Sequence, residues 1–315
     1  MVTQEKRANK VKTTRMVGQM LDAYYEDLKH APEEGRMVAW VTGPPGFLPL
    51  LAMRIPYLHG EAYGATTSAR KAEKEYKEAA EADGFSPESC SYSRITMGCG
   101  LFALHGPPKD LAHPEVLMPR PNFIFTLNPG CSTETNWFNT LCRFFDVPGF
   151  LLDIPFVWRE EDQKRHVAYV TGQLREFIAF LERVTGRPFD WARLQEAVAT
   201  LKRAATLRQE GMKLCRHKPS PASFFDWAIS LGPVNFLAGW PGTAEYFQSL
   251  KDELEERIAQ GVGAVPEESC RLLFDGIILW PKVGALADKF ASLDACAIAG
   301  RYTTSASTTS RSAST

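Results

Sequence analysis

The sequence predicts an α/β protein in which parallel strands alternate with covering helices and a long helical stretch fills the middle. Three observations carry that reading. Short apolar runs recur at Met37 to Val41, Phe123 to Leu127, Gly149 to Ile154 and Gly276 to Trp280, each closed by Gly or Pro. Stretches with helical spacing follow them. At 315 residues, the chain is long enough for two domains, because a single core usually stops growing near this size.

Taken in order, Glu5 to His30 carries Val17, Met20, Leu21, Tyr24 and Leu28 at helical spacing, so a helix is expected within residues 1–34. Met37 to Val41 then runs as a strand into Gly43-Pro44-Pro45-Gly46, a turn too rigid and donor-poor to extend it. Ser68 to Asp83 is rich in Ala, Glu and Lys and ends at Gly84, which predicts one helix. After the strand at Phe123 to Leu127 and the break at Asn128-Pro129-Gly130, Ser132 or Thr133 is placed to cap a helix through Phe144, with Glu134 in its first turn. Asp162 to Val184, Trp191 to Lys213, Phe224 to Leu231, Thr243 to Gln260 and Val283 to Leu293 read as further helices. The expected organisation is a first α/β domain over 35–160, a helical segment with a partial second α/β domain over 161–301, and a disordered Ser/Thr tail over 302–315.

Charge excludes some functions. Lys and Arg total 36 against 37 Asp and Glu, so no net field gathers nucleic acid. The apolar runs fall well short of the roughly 20 residues that cross a bilayer. The basic N-terminus lacks the apolar core of a signal peptide, and a cytoplasmic location is expected. Gly43-Pro44-Pro45-Gly46 matches neither a phosphate loop nor GxGxxG, which argues against a simple nucleotide-binding protein.

Seven cysteines without a secretion signal argue against a disulfide framework and leave metal binding, reactive thiols or core residues. Cys90, in Cys-Ser-Tyr-Ser-Arg, and Cys131, in Asn-Pro-Gly-Cys-Ser-Thr-Glu, read as lying at strand-to-helix loops, each opening a helix. There unpaired N–H groups and the helix dipole favour a thiolate. Spacing alone does not make them ligands. They lie 41 positions apart with no CxxC pair, and cysteine is among the most buried residue types. Cys142, Cys215 and Cys270 read as ordinary thiols, and Cys99, flanked by Gly98 and Gly100, is more open.

The words around Cys90 and Cys131 resemble the two cysteine motifs of the 2-hydroxyacyl-CoA dehydratase and benzoyl-CoA reductase subunit family, of the 2-hydroxyglutaryl-CoA dehydratase D-component type. Several stretches agree in order. Arg54-Ile55-Pro56-Tyr57 with Gly60-Glu61-Ala62-Tyr63-Gly64-Ala65 is similar to the Pro-Glu-Asn-Tyr-type segment of the reductase branch, Gly60 and Ala62 departing from it. Val147-Pro148 with Asp153-Ile154-Pro155, Leu181-Glu182 with Thr185-Gly186, and Arg271-Leu272-Leu273 with Gly276 to Trp280 extend the likeness over most of residues 35–300.

The resemblance implies two Rossmann-like (flavodoxin-like) parallel-sheet domains. It implies a [4Fe-4S] cluster with Cys90 and Cys131 among its three cysteine ligands, an acyl-CoA substrate, a related second subunit in a heterodimer, and an ATP-dependent activator iron-sulfur protein. Low-potential electron donation would turn the thioester carbonyl into a ketyl radical that loses hydroxide or, in the reductase branch, leads to ring reduction. Ser91 and Arg94 would contact the cluster region and Glu61 would face the acyl-CoA; on chemistry alone each reads equally as a surface or packing residue. The Glu61 segment favours the benzoyl-CoA branch.

The chain departs from the family pattern after Gly276 to Trp280, where members carry another strand and a third cluster cysteine. Cys296 falls earlier in that pattern and does not take the role, so no third ligand is found. The expectation is a C-terminally truncated chain with an incomplete second domain. Its alternative function is that of a non-catalytic or degenerate partner or electron-relay subunit.

Overall fold

The computed structural model describes residues 7–43, 47–128, 131–156, 159–235 and 237–304. The chain forms two compact units, residues 24–195 and residues 1–23 with 196–315. The first contains the C-terminal part of α1 (Arg15–His30), followed by β1 (Ala39–Val41), α2 (Phe47–Ala52), β2 (Tyr57–His59), α3 (Gly60–Ala69) and α4 (Lys74–Ala82). It continues with α5 (Ser91–His105), β3 (Phe123–Asn128), α6 (Ser132–Phe145), β4 (Gly149–Asp153) and α7 (Gln163–Thr185).

Its four strands pair in the order β2-β1-β3-β4, all parallel. β1, β2 and the first four residues of β3 are buried throughout, which explains why they read as continuous apolar runs: a parallel sheet is covered on both faces. Phe123, Phe125 and Phe150 on the strands meet Phe177 and Phe180 of α7 with ring centroids 4.6–5.8 Å apart, so α7 belongs to this unit's core. Strand order reverses between β1 and β3, and in open sheets of this kind ligands bind outside the C-terminal strand ends at such a reversal.

The second unit is mainly helical: the larger part of α8 (Trp191–Leu214), then α9 (Phe224–Ile229), α10 (Leu231–Asn235) and α11 (Thr243–Ala259). β5 (Cys270–Phe274), α12 (Val283–Ser292), β6 (Ala295–Gly300) and α13 (Arg301–Thr304) follow. β5 and β6 form a two-stranded parallel sheet with a register shift at Leu272/Leu273. Ser223 opens α9 with a capping box: its hydroxyl and backbone N–H both meet the Asp226 carboxylate, at 2.7 and 2.8 Å. Trp227, Tyr246 and Leu254 are buried at this unit's centre.

Several expectations are corrected. Ser68 to Asp83 is two helices, because Lys71 takes a left-handed φ of 59° between α3 and α4. The strand expected at Gly276 to Trp280 lies at β5 instead. Ile277 and Leu279 are 66% and 61% exposed, and Trp280 starts a 3-10 turn. Tyr302 to Thr304, assigned to a disordered tail, are helical with Thr303 buried. The Pro44-Pro45-Gly46 turn, the Pro129-Gly130 break and residues 305–315 of the tail lie outside the described residues. Where a partial second Rossmann-like domain was expected, the described residues of the second unit hold two parallel strands among helices.

Candidate functional site

The strands of the first unit end along one edge at Val41, His59, Asn128 and Asp153. Their polar ends are tied together. The Thr42 hydroxyl accepts from the Leu127 N–H at 2.9 Å, and the Asn128 amide donates to Asp153 at 2.9 Å. Tyr169 donates to the other Asp153 oxygen at 3.1 Å, and Gln173 bridges the Asp153 backbone at 2.9 and 2.6 Å. The edge is therefore a braced platform.

Both singled-out cysteines are exposed and are the N-cap residues of helices, Cys90 of α5 and Cys131 of α6. Neither side chain bonds the helix it caps, leaving the first-turn N–H groups without a side-chain acceptor from the cap. Ser132 and Thr133 lie inside α6, so the expected capping role falls to Cys131. Cys90 follows α4, so its loop joins two helices where a preceding strand was expected.

Close approaches set the two caps side by side. Gly60, the first residue of α3, has its carbonyl bonded by the Thr96 hydroxyl of α5 at 3.1 Å, and a Cβ there would lie 2.8–2.9 Å from Phe138 and Trp137 of α6. Further along, a Cβ on Gly100 of α5 would lie 3.2 Å from Leu141 of α6. The contact order is the same in both helices, so α5 and α6 run parallel. Cys90 is six residues before Thr96 and Cys131 six before Trp137, so both caps stand about 9 Å beyond the Gly60 level. Helices packed this way have axes roughly 8–10 Å apart. The structure thus brings Cys90 and Cys131 to one end of one helix pair.

Glu61 lies in the first turn of α3, and Gly64 lets that helix lie against the first turn of α5, where a Cβ would be 3.0 Å from the Tyr92 Cα. Glu61 acts electrostatically on a residue that the sequence marks only as a helix-start acid. Glu134 in the first turn of α6 is 9% exposed, and its Oε1 is buried with no hydrogen-bond partner among the described residues. Burial, and secondarily the nearby Glu61 carboxylate, holds the Glu134 carboxyl up at about 7. One turn on, Trp137 Nε1 is a second buried polar atom without a partner among the described residues. An orphan carboxyl and an orphan N–H, three residues apart on one helix face, suit a ligand that both donates and accepts.

Arg94 is placed otherwise than as a free cation. Its side chain is 12% exposed, one guanidinium nitrogen donates to Glu81 of α4, and another donates to the Ser91 hydroxyl at 3.3 Å. Arg94 and Ser91 therefore brace the first turn of α5, and the Ser93 hydroxyl donates to the Cys90 carbonyl at 2.8 Å. His59 caps α3 by accepting the Ala62 N–H on Nδ1 at 3.1 Å, which leaves the proton on Nε2. Burial pulls its imidazole down to about 4, so it is neutral beside Glu61 at pH 7.

The other thiols belong to packing. Cys99 is fully buried in α5 and burial pushes it up to about 11; next to it, a Cβ on Gly98 would overlap the Tyr76 carbonyl oxygen at 1.8 Å. Cys142 lies against Gly149 at the start of β4. Cys215 accepts from Trp227 Nε1 at 3.2 Å, and Cys296 is fully buried in β6 and pushed up to about 12. Cys270 is exposed at the start of β5. Among the described residues, no three His, Cys, Asp or Glu gather closely enough to hold a metal ion, so a third ligand beside Cys90 and Cys131 is not found.

Exposed thiols on paired helix N-termini, beside two carboxyl groups in a unit built on a parallel sheet, define an α/β protein with a candidate thiol-bearing site. The chain belongs to the 2-hydroxyglutaryl-CoA dehydratase, D-component family, whose model matches residues 47–314. It is 29% identical over 287 residues to the lactoyl-CoA dehydratase subunit alpha of Anaerotignum propionicum, covering 86% of this chain and 67% of that protein. It is 28% identical over 255 residues to the (R)-phenyllactyl-CoA dehydratase alpha subunit of Clostridium sporogenes, covering 80% and 60%. To a benzoyl-CoA reductase subunit of Thauera aromatica it is 28% identical over 311 residues, covering 93% and 69%. The chain thus spans about two thirds of the length of these relatives. Among the described residues, no helix is long and apolar enough to cross a membrane.

Proposed function

We propose that this chain is one subunit of an acyl-CoA dehydratase or benzoyl-CoA reductase type enzyme, with Cys90 and Cys131 as two thiolate ligands of a [4Fe-4S] cluster. The observation that carries the reading is the level placement of these two exposed N-caps on parallel helices, beside Glu61 and Glu134. The donor set fits in chemistry, since iron-sulfur clusters take cysteine thiolates, and it fits in part in number, since two are present. Bound there, the cluster would supply an electron at low potential and an iron free of protein ligand as a Lewis acid.

The protein's own residues do the rest. First-turn N–H groups of α5 and α6 face the negative charge of the thiolates. Arg94, held by Glu81, keeps Ser91 and the Cys90 turn in place. Glu134, held up at about 7 by burial and by the Glu61 carboxylate near it, exchanges its proton around neutral pH, so the pair offers carboxyl groups for acid and base work on an acyl thioester lying against α3. Trp137 Nε1 would donate to an oxygen of that ligand. In a dehydration, the base accepts the proton on the carbon next to the hydroxyl-bearing one and the acid gives its proton to the departing hydroxide, leaving an enoyl thioester and water. A related second subunit, an ATP-dependent activator protein and a cytoplasmic setting complete the proposal. The 2-hydroxyacyl and aromatic substrates both fit it.

Anaerobic reconstitution of the full chain with iron and sulfide, followed by metal and sulfide counting, tests the assignment. Cys90→Ala and Cys131→Ala should each abolish cluster uptake, while Cys142→Ala should not. Equal loading in all three would sink it. The second reading, a partner subunit without its own complete cluster site, is favoured by the lack of a third ligand among the described residues. It predicts poor loading in isolation and association with the second subunit that survives both cysteine substitutions.

A further inference from the structure

We propose that the opposite, N-terminal edge of the first unit's sheet holds a binding site for the phosphate group of a small metabolite. Two cavities share walls there. One, of about 250 Å³, is lined by Met53, Arg54, Arg187, Asp190 and Arg193 among others. The second, of about 240 Å³, is lined by Gly35, Arg36, Met37, Thr185 and again Arg54 and Arg187. Gly35 to Met37 lead into β1 and Arg54 leads into β2, which places the cavities at the strand starts, away from Cys90, Cys131 and Glu61.

Charge pairing separates the four arginines into two kinds. Arg36 is engaged by two carboxylates, Asp27 at 2.7 Å and Glu34 at 2.7 Å. Arg193 pairs with Asp190 at 3.2 Å. The two that line both cavities have no such partner among the described residues. Arg187 makes one bond, Nη2 to the Met53 carbonyl at 3.0 Å, which holds the fork in place without neutralising it. Arg54 makes none with its side chain among the described residues.

The backbone at Arg54 supports a role beyond packing. Its φ is +54°, a left-handed conformation that glycine adopts freely and a long side chain does not. An arginine kept where glycine would fit more easily, exposed and without a counter-charge, is explained by what its guanidinium meets. Two unneutralised forks on shared cavity walls match a dianion, and guanidinium geometry favours bidentate contact with phosphate oxygens. The combined space exceeds one phosphate and leaves room for a second phosphoryl group or the sugar that carries it.

Isothermal titration of the full chain with inorganic phosphate, pyrophosphate and coenzyme A tests the site, with Arg54→Gly, Arg187→Ala and, as a control, Arg203→Ala in the second unit. Arg54→Gly removes the fork while relieving the left-handed backbone, so lost binding cannot be put down to misfolding; a thermal melt checks that the fold is kept. At least one probe should bind, with affinity reduced about ten-fold or more by each of the first two substitutions and unchanged by Arg203→Ala. Binding of phosphate or pyrophosphate points to a free phosphorylated metabolite. Binding of coenzyme A alone, lost with Arg54→Gly, points to that cofactor's own phosphates. No binding up to millimolar concentration, or binding that both substitutions leave intact, overturns the proposal. None of these outcomes depends on cluster loading, so the result is independent of the reading of Cys90 and Cys131.

Discussion

The two units use parallel strands in opposite ways. In the first, β1, β2 and the start of β3 are sealed on both faces and carry a braced polar edge, so side chains that follow the strands are fixed in place. In the second, β5 leaves Leu273 71% and Leu272 39% exposed, and its neighbours Ile277, Leu279 and Leu293 are each more than 60% exposed. The lesson concerns where thiols can do chemistry. Cys90 and Cys131 stand exposed on helices anchored to the sealed sheet, whereas Cys215 and Cys296 are part of the second unit's packing.

The largest test of the contrast is in the strands themselves. Phe125→Ala in β3 should cost about 3–5 kcal/mol, seen as a lower midpoint in urea unfolding. Leu273→Ser in β5 should change stability by less than about 0.5 kcal/mol. Comparable losses at both positions would show that β5 is covered in solution.

A smaller effect sharpens the site. Glu134 binds its proton more tightly folded than unfolded, so its contribution is full below about pH 4.5 and is lost as pH rises through about 7. Glu134→Gln should remove that slope and raise stability at pH 8 by roughly 2 kcal/mol. Thermal melts from pH 4 to 8 would reveal it; an unchanged slope would mean the carboxyl is hydrated.

His59 gives the opposite slope. Its folded value of about 4 lies below the ordinary 6.5, so its contribution is full above pH 6.5 and is lost as pH falls through 4. His59→Asn keeps a capping acceptor on α3 and should flatten the acid side at a cost of about 1 kcal/mol or less. A steeper acid side in the variant would contradict the neutral cap.

The last test leaves stability untouched. Alkylation of the native chain, read by mass spectrometry, should label Cys90, Cys131 and Cys270 first and Cys99, Cys215 and Cys296 only on unfolding. Cluster loading should then protect Cys90 and Cys131 and leave Cys270 reactive.

Much of this was legible in the residues, and the misses share a cause. α7, α8, α11 and α12 follow their helical periods closely; β3 is visible because a buried parallel strand is uniformly apolar, and β4, buried only at Leu152, through its short apolar run between Gly149 and Pro155. β5 was missed because Gly276 to Trp280 is the more apolar stretch, although its Ile277 and Leu279 face solvent. β6, reading Ala-Cys-Ala-Ile-Ala-Gly, has only Ile298 of the branched and aromatic residues that mark strands. The split at Lys71 left no Gly or Pro as a signal. At the site, loop chemistry pointed to Cys90 and Cys131. Glu134 stayed hidden because an acid in a first helical turn is ordinary, and only tertiary packing buries it.

The parallel pairing of α5 and α6 has an electrostatic consequence. Each helix ends in roughly half a positive charge, so two like poles stand side by side beneath Cys90 and Cys131. These poles repel, and an anion bound between them would offset both. Hydrogen exchange at Ser91 to Ser93 and Ser132 to Glu134 should then slow once such an anion is bound.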